Sequence, residues 1–144
     1  FATAADFLRS NQIALRAFVL VKLPFQTDAE ALRWSKRSVE FAFDCGATAV
    51  SLIPTRFGNG SLEALASQNQ FSPPTLELFE TAIEEALGLQ RGRVFADLWD
   101  LEKFSRCPTC FPQRLARLRR INLEQRTEPP VSCDHCGGAR VSSR

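Results

Sequence analysis

Two short cysteine knuckles constrain this chain more than any other feature of it. Cys107-Pro108-Thr109-Cys110 and Cys133-Asp134-His135-Cys136 each place two thiols three positions apart, and 22 residues lie between the pairs. A C-x-x-C turn lets two thiolates converge on one ion, and a returning chain supplies the second pair to complete a tetrahedron. Four thiolates suit zinc, because hard cations prefer oxygen, and four protein ligands leave no position open for a catalytic water. The spacing therefore predicts a structural zinc on Cys107, Cys110, Cys133 and Cys136. Two disulfides, disfavoured in a reducing compartment, and an iron–sulfur centre on the same thiols are the alternatives. His135 is the only histidine and sits inside its knuckle, as a neighbour of the metal rather than a ligand. Acid–base catalysis by histidine is thereby excluded within these residues, and no catalytic residue is assigned. Cys45 stands apart and reads as a buried apolar thiol.

The rest of the 144 residues must fold around an apolar core of its own: 44% are hydrophobic and 24% charged, which is globular and not disordered composition. No apolar run reaches the roughly 18 residues of a membrane-spanning helix and no secretory leader opens the chain, so the expected setting is cytoplasmic, with no membrane partner. The chain begins at Phe1, contains no methionine, and enters at once what reads as the middle of a helix–strand unit. A missing N-terminal portion is expected. Charge is uneven: residues 1–100 carry nine Lys/Arg against twelve Asp/Glu, and residues 101–144 carry nine against four. The basic tail permits a polyanionic partner such as a nucleic acid, while a solvated helix face is the ordinary reading of such a run.

Strand and helix signals alternate through the first hundred residues. A helix ends near Ser10, and residues 15–21 read as a strand apolar on both faces, as in a parallel sheet covered by helices. Thr27-Asp28-Ala29-Glu30 is a capping box opening a helix to about Cys45, where Gly46 supplies the left-handed cap. Residues 48–53 form a second strand stopped by Pro54, and the crossover makes the two strands parallel. Gly58-Asn59-Gly60 reads as a loop, Ser61 as the cap of a short helix, and Ser72-Pro73-Pro74 as the start of a helix ending near Gly88. Residues 93–98 form the third strand, and residues 113–124 a basic helix with Leu115, Leu118, Ile121 and Leu123 on its buried side. Residues 139–144 read as frayed. The expected fold class is α/β, residues 1–104 belonging to the parallel layer and residues 105–144 to a zinc-binding segment.

Ligands of parallel α/β folds gather beyond the carboxyl ends of the strands. The loops there are Lys22-Leu23-Pro24-Phe25-Gln26-Thr27, Ile53-Pro54-Thr55-Arg56-Phe57-Gly58-Asn59-Gly60 and Asp97-Leu98-Trp99-Asp100. Each also has a plain reading: Pro24 and Pro54 as stops, the glycines as a turn, Trp99 as a core anchor. The Gly-Asn-Gly loop lacks the lysine and spacing of a phosphate-binding loop.

These loops carry a resemblance. Lys22-Leu23-Pro24-Phe25-Gln26-Thr27 is similar to the G-L-P-G-[QE]-T loop after the fifth strand of radical SAM barrels, with both glycines replaced. With Ser51-Leu52-Ile53-Pro54-Thr55-Arg56, Phe71-Ser72-Pro73-Pro74, Gly92 to Asp100 and the paired knuckles, nearly the whole chain resembles the C-terminal half of one subgroup. That subgroup lies close to the elongator catalytic subunit and includes the archaeosine-biosynthesis radical SAM protein and bacterial relatives. The resemblance implies part of a (β/α)6 TIM-like barrel holding S-adenosylmethionine and a 4Fe-4S cluster, where reductive cleavage yields a 5′-deoxyadenosyl radical. It further implies that Pro24, Ile53, Pro54 and Thr55 lie against S-adenosylmethionine, with Lys22 and Arg56 meeting its carboxylate or the substrate. The archaeal relative suggests a modified nucleoside in tRNA as substrate.

The family's C-x3-C-x2-C cluster motif is absent from these 144 residues. The chain alone is therefore expected to be inactive, the cluster lying in the missing N-terminal half of the barrel, its obligatory partner. The rival expectation is a non-catalytic zinc-ribbon module that binds nucleic acid or a protein.

Overall fold

The computed structural model describes residues 1–58 and 60–136. Asn59 of the expected Gly-Asn-Gly loop, and the tail at 139–144 expected to fray, lie outside the described residues. In chain order the elements are α1 (Ala2–Ser10), β1 (Arg16–Val21), α2 (Asp28–Asp44), β2 (Ala49–Pro54), α3 (Ser61–Ser67), α4 (Leu76–Gly88), β3 (Arg93–Ala96), a 3-10 turn (Leu101–Phe104) and α5 (Phe111–Glu124). None of these helices is long and apolar enough to cross a membrane.

Local chemistry sets most boundaries. At the start of α2 the Thr27 hydroxyl accepts from the Glu30 amide at 3.3 Å, and the Glu30 carboxylate accepts from the Thr27 amide at 2.9 Å. The helix ends in a Schellman turn: Gly46, at φ +92°, donates to the Phe43 carbonyl while Ala47 donates to that of Ala42. Three expectations shift. Gly60 occupies the cap of α3, so Ser61 is its first helical residue. Thr75 caps α4, its hydroxyl accepting from the Leu78 amide at 3.2 Å, because Pro73 and Pro74 keep the chain extended up to it. The third strand stops at Ala96 instead of residue 98, since the Asp97 carboxylate accepts from the Trp99 amide at 3.2 Å and turns the chain.

The three strands are parallel and adjacent in chain order. Their register lines up Ala17, Val19 and Val21 with Val50, Leu52, Val94 and Ala96 on one face. There they meet Val39, Ala42 and Phe43 of α2, Leu76, Phe79 and Ile83 of α4, and Leu118 and Ile121 of α5 in a single core. The opposite face carries Arg16, Phe18, Leu20, Ser51, Ile53 and Phe95. Phe18 is 67% and Leu20 49% exposed, so the expectation that β1 is covered on both sides is corrected. Its apolar run is real, but α2, α4 and α5 all share the other face. Arg16 lies across the open side, bonded to the Ser51 hydroxyl from Nε at 2.8 Å and placed 4.7 Å from the centre of the Phe95 ring.

The basic helix is also rotated from expectation. Leu118 and Ile121 are buried and Leu115 partly so, but Leu123 is 80% exposed. Two residues past Ile121 is a turn of roughly 200°, which carries Leu123 to the far side. Arg114 and Arg117 hold the buried stripe instead. Trp99, read as a core anchor, is exposed, and Cys45 is only half-buried.

Helix α5 also closes the sheet. The Asn122 side chain accepts from the Ala96 amide at 2.8 Å and donates to the Ala96 carbonyl at 2.9 Å. Gln125 does the same to Val94, at 2.8 and 2.9 Å. Two carboxamides thus occupy the hydrogen-bonding positions a fourth strand would take. Asn122→Leu should strand one N–H and one C=O of β3 and lower the unfolding free energy by about 1–3 kcal/mol, measured by urea denaturation.

Candidate metal centre

Both knuckles sit at the ends of chain segments that α5 organises. Cys107 follows the 3-10 turn, Cys110 occupies the N-cap position of α5, and Cys133 and Cys136 lie on the segment that returns after the helix. All four sulfur atoms lie within 4.8 Å of one another, with Cys107 Sγ 3.9 Å from Cys133 Sγ and Cys110 Sγ 3.8 Å from Cys136 Sγ. A tetrahedral ion with metal–sulfur bonds of about 2.3 Å sets its ligands about 3.8 Å apart. A disulfide would bring them to about 2.05 Å, and these four thiols are free. An iron–sulfur cluster interposes several irons and sulfides and spreads its cysteines farther than one ion does. The four cysteines are positioned to bind a single metal ion such as zinc.

Electrostatics around the thiols is asymmetric. The backbone N–H of Cys110 chiefly, helped by that of Thr109, draws the Cys107 thiol below its ordinary range. Burial pushes Cys110 upward, against a hydrogen bond from the Arg114 guanidinium. Folding thus favours the thiolate at Cys107 and disfavours it at Cys110. The two effects have opposite signs in any pH dependence of the metal-free fold. A bound cation favours the thiolate at both.

The neighbours that position this cluster went unread in the sequence. Arg114, 4% exposed, pairs through Nη1 with Glu77 at 2.8 Å and Glu80 at 2.9 Å. Arg117, 1% exposed, pairs with Glu84 and reaches Glu80 at 3.6 Å. Its Nε and Nη2 also donate to the backbone carbonyls of Pro129, at 2.9 Å, and Glu128, at 2.6 Å. Arg120 holds both Glu128 carboxylate oxygens at 2.9 Å. Burial raises the affinity of Glu80 for a proton, with both arginines opposing it. The readable signal was the pair of spacings: arginines three apart on one helix, and glutamates three and four apart on another.

The strand-end residues are brought to one end of the sheet. Lys22 follows β1; its ammonium is buried and bonded to Asp28 at 2.5 Å and Ser72 at 2.9 Å. Pro24 is half-buried in the loop that Gln26 closes by accepting the Leu23 amide at 2.9 Å. Ile53 faces the open side of the sheet and Pro54 the covered side. Thr55 is buried with its hydroxyl unbonded among the described residues. Arg56 pairs with Asp97 at 2.7 Å, stacks 4.9 Å from the Trp99 ring, and has an unbonded Nε. Lys22 and Phe25 both adopt left-handed backbone, at φ +62° and +67°.

Fold and site together define a three-stranded parallel α/β layer bearing a four-cysteine metal-binding group. Compared with protein families, curated proteins and solved structures, the chain has no match.

Metal analysis of the purified chain should find one ion per molecule. Replacing Cys107 and Cys110 by serine should abolish binding and the ordered second knuckle, seen by near-ultraviolet dichroism. Metal retention should fall steeply between about pH 7.5 and about pH 5.5, as protons compete for the thiolates, in a chelator-competition titration.

Proposed function

We propose that this chain is the C-terminal portion of a radical SAM enzyme and that its four cysteines hold a structural zinc. The observation that carries the reading is the backbone at Lys22 and Phe25. These are the two positions where the G-L-P-G-[QE]-T loop has glycine, and both take the left-handed conformation that glycine accepts freely, at φ +62° and +67°. A non-glycine residue there costs roughly 1–2 kcal/mol, so both positions keep a backbone that glycine would adopt without that cost.

Two features of the sheet agree. Sequential parallel strands with α2, α4 and α5 on one face are the arrangement of an arc cut from a β/α barrel, whose bare face would be the interior. The sheet's two edges also differ. Asn122 and Gln125 occupy the outer edge of β3. On β1, the Leu15 and Val21 carbonyls accept from the β2 side, so alternation turns the backbone N–H and C=O groups of Arg16, Phe18 and Leu20 outward, where no described backbone group pairs with them. In this reading the missing N-terminal half of the barrel docks a parallel strand on that edge and brings the 4Fe-4S cluster.

When bound, S-adenosylmethionine and the cluster supply a 5′-deoxyadenosyl radical that abstracts hydrogen. This chain's share is binding: Thr55 Oγ1 and Arg56 Nε are buried polar atoms at the strand ends with no hydrogen-bond partner among the described residues, and Pro24, Ile53 and Pro54 shape the surface beside them. Lys22 braces the loop through Asp28 and Ser72. A tRNA nucleoside is the proposed substrate. Among the described residues of the basic segment, Arg106 and Arg119 are exposed and in no ion pair, and so are available to meet phosphates while Arg114 and Arg117 are paired internally. The proposed setting is cytoplasmic, where free thiols persist.

The test is the gene region upstream of Phe1. A C-x3-C-x2-C motif within roughly two hundred residues is expected, given the size of a full barrel. The longer protein, reconstituted with iron and sulfide and reduced anaerobically, should convert S-adenosylmethionine to 5′-deoxyadenosine, while the 144-residue chain should not. An upstream region without the motif would sink the enzyme reading in favour of a zinc-ribbon module.

A further inference from the structure

We infer that Arg114 and Arg117 are outer-sphere positioning residues through which metal occupancy of the cysteine cluster is coupled to helix α4, whose last residue, Gly88, lies 19 positions before Cys107 in the sequence. The inference rests on the four-cysteine site being a metal site and is independent of the radical SAM reading.

The geometry is a chain of contacts that runs through two buried arginines and the buried Glu80. Arg114 follows Cys110 by one helical turn, its amide donating to the Cys110 carbonyl at 3.1 Å, and its guanidinium pairs with Glu77 and Glu80. A four-thiolate site around a divalent cation carries two net negative charges, so a guanidinium carried one helical turn from a ligand offsets charge where burial makes it costly. Arg117 acts on the other knuckle. It holds the carbonyls of Glu128 and Pro129, four residues before Cys133, while its Nη2 pairs with Glu84. The returning segment is therefore anchored to the same helix as the first knuckle. Arg120 reinforces the anchor by gripping the Glu128 carboxylate.

Three carboxylates on α4 face this cluster: Glu77, Glu80 and Glu84. Without the arginines they would be like charges crowded against a low-dielectric core. Holding the second knuckle closed keeps Arg117 seated on them, and seating Arg117 keeps the knuckle closed. By linkage, each equilibrium must favour the other by the same factor. An arginine at this position is specific, because a lysine presents one point charge and cannot span two carbonyls and a carboxylate together.

Two measurements on the 144-residue chain test this. In chelator competition, Arg117→Lys should weaken zinc binding by about 10–100-fold, the usual effect of removing an outer-sphere partner, in addition to any fall in the metal-free thermal midpoint. Zinc affinity unchanged within about twofold, with a lowered metal-free midpoint, would make Arg117 a packing residue only and overturn the inference. If the variant does not fold, hydrogen exchange of the unmodified chain decides. Zinc should slow exchange at 126–131 and also along α4 at 77–84, and slowing confined to the knuckles would overturn the coupling. Failure of the unmodified chain to bind any metal would instead refute the metal site itself.

Discussion

Two guanidinium groups with almost no access to water join the metal-binding end of this chain to its parallel sheet. Arg114 and Arg117 lie on the stripe of α5 that also carries Leu118 and Ile121 into the core. Buried charges are tolerated only when partners are close, and α4 supplies them in Glu77, Glu80 and Glu84. Removing one member would leave the others buried and uncompensated, which is why this contact fixes the position of everything after β3. The same helix turns Asn122 and Gln125 onto the backbone of β3. One element therefore ends the sheet, anchors the first knuckle and guides the second back to it.

Among the described residues, the opposite edge and face of the sheet have no such closure. Phe18 and Leu20 on β1 face outward beside Ile53 and Phe95, while the covered face is packed with aliphatic residues from three helices. A sheet with one dry face and one bare apolar face has unequal demands for burial, and exposed β-edge groups are a template for another strand. The proposed barrel satisfies both demands with one set of contacts. The strand-end loops fit the same picture: Lys22 and Phe25 keep strained backbone, held on one side by Gln26 bonding Leu23 and on the other by the Phe25 amide bonding the Gln70 carbonyl at 2.8 Å.

Local signals in the sequence were read correctly where a few neighbouring residues suffice. The capping box at Thr27 and Glu30, the left-handed Gly46, the proline stops and the parallel crossover all depend on short-range geometry. The cysteine pairs were legible for the same reason, since C-x-x-C spacing fixes each half of the site. Leu123 was misplaced, and the plain alternative of Trp99 as a core anchor fails, because hydrophobicity says that a residue gains from burial and not whether a neighbour is there to bury it. The two outward residues of β1 were missed likewise: an apolar run does not tell which face a helix will occupy.

The sequence by itself determined that this chain forms alternating parallel α/β units and carries four thiols spaced for one ion, because both follow from periodicity and local turns. Only the tertiary structure decided that the basic helix spends Arg114 and Arg117 on the glutamates of α4, and that its amides close the sheet. Those pairings join residues more than twenty positions apart. Their partners are chosen by how the helices pack on the sheet, and no spacing along the chain encodes that choice directly.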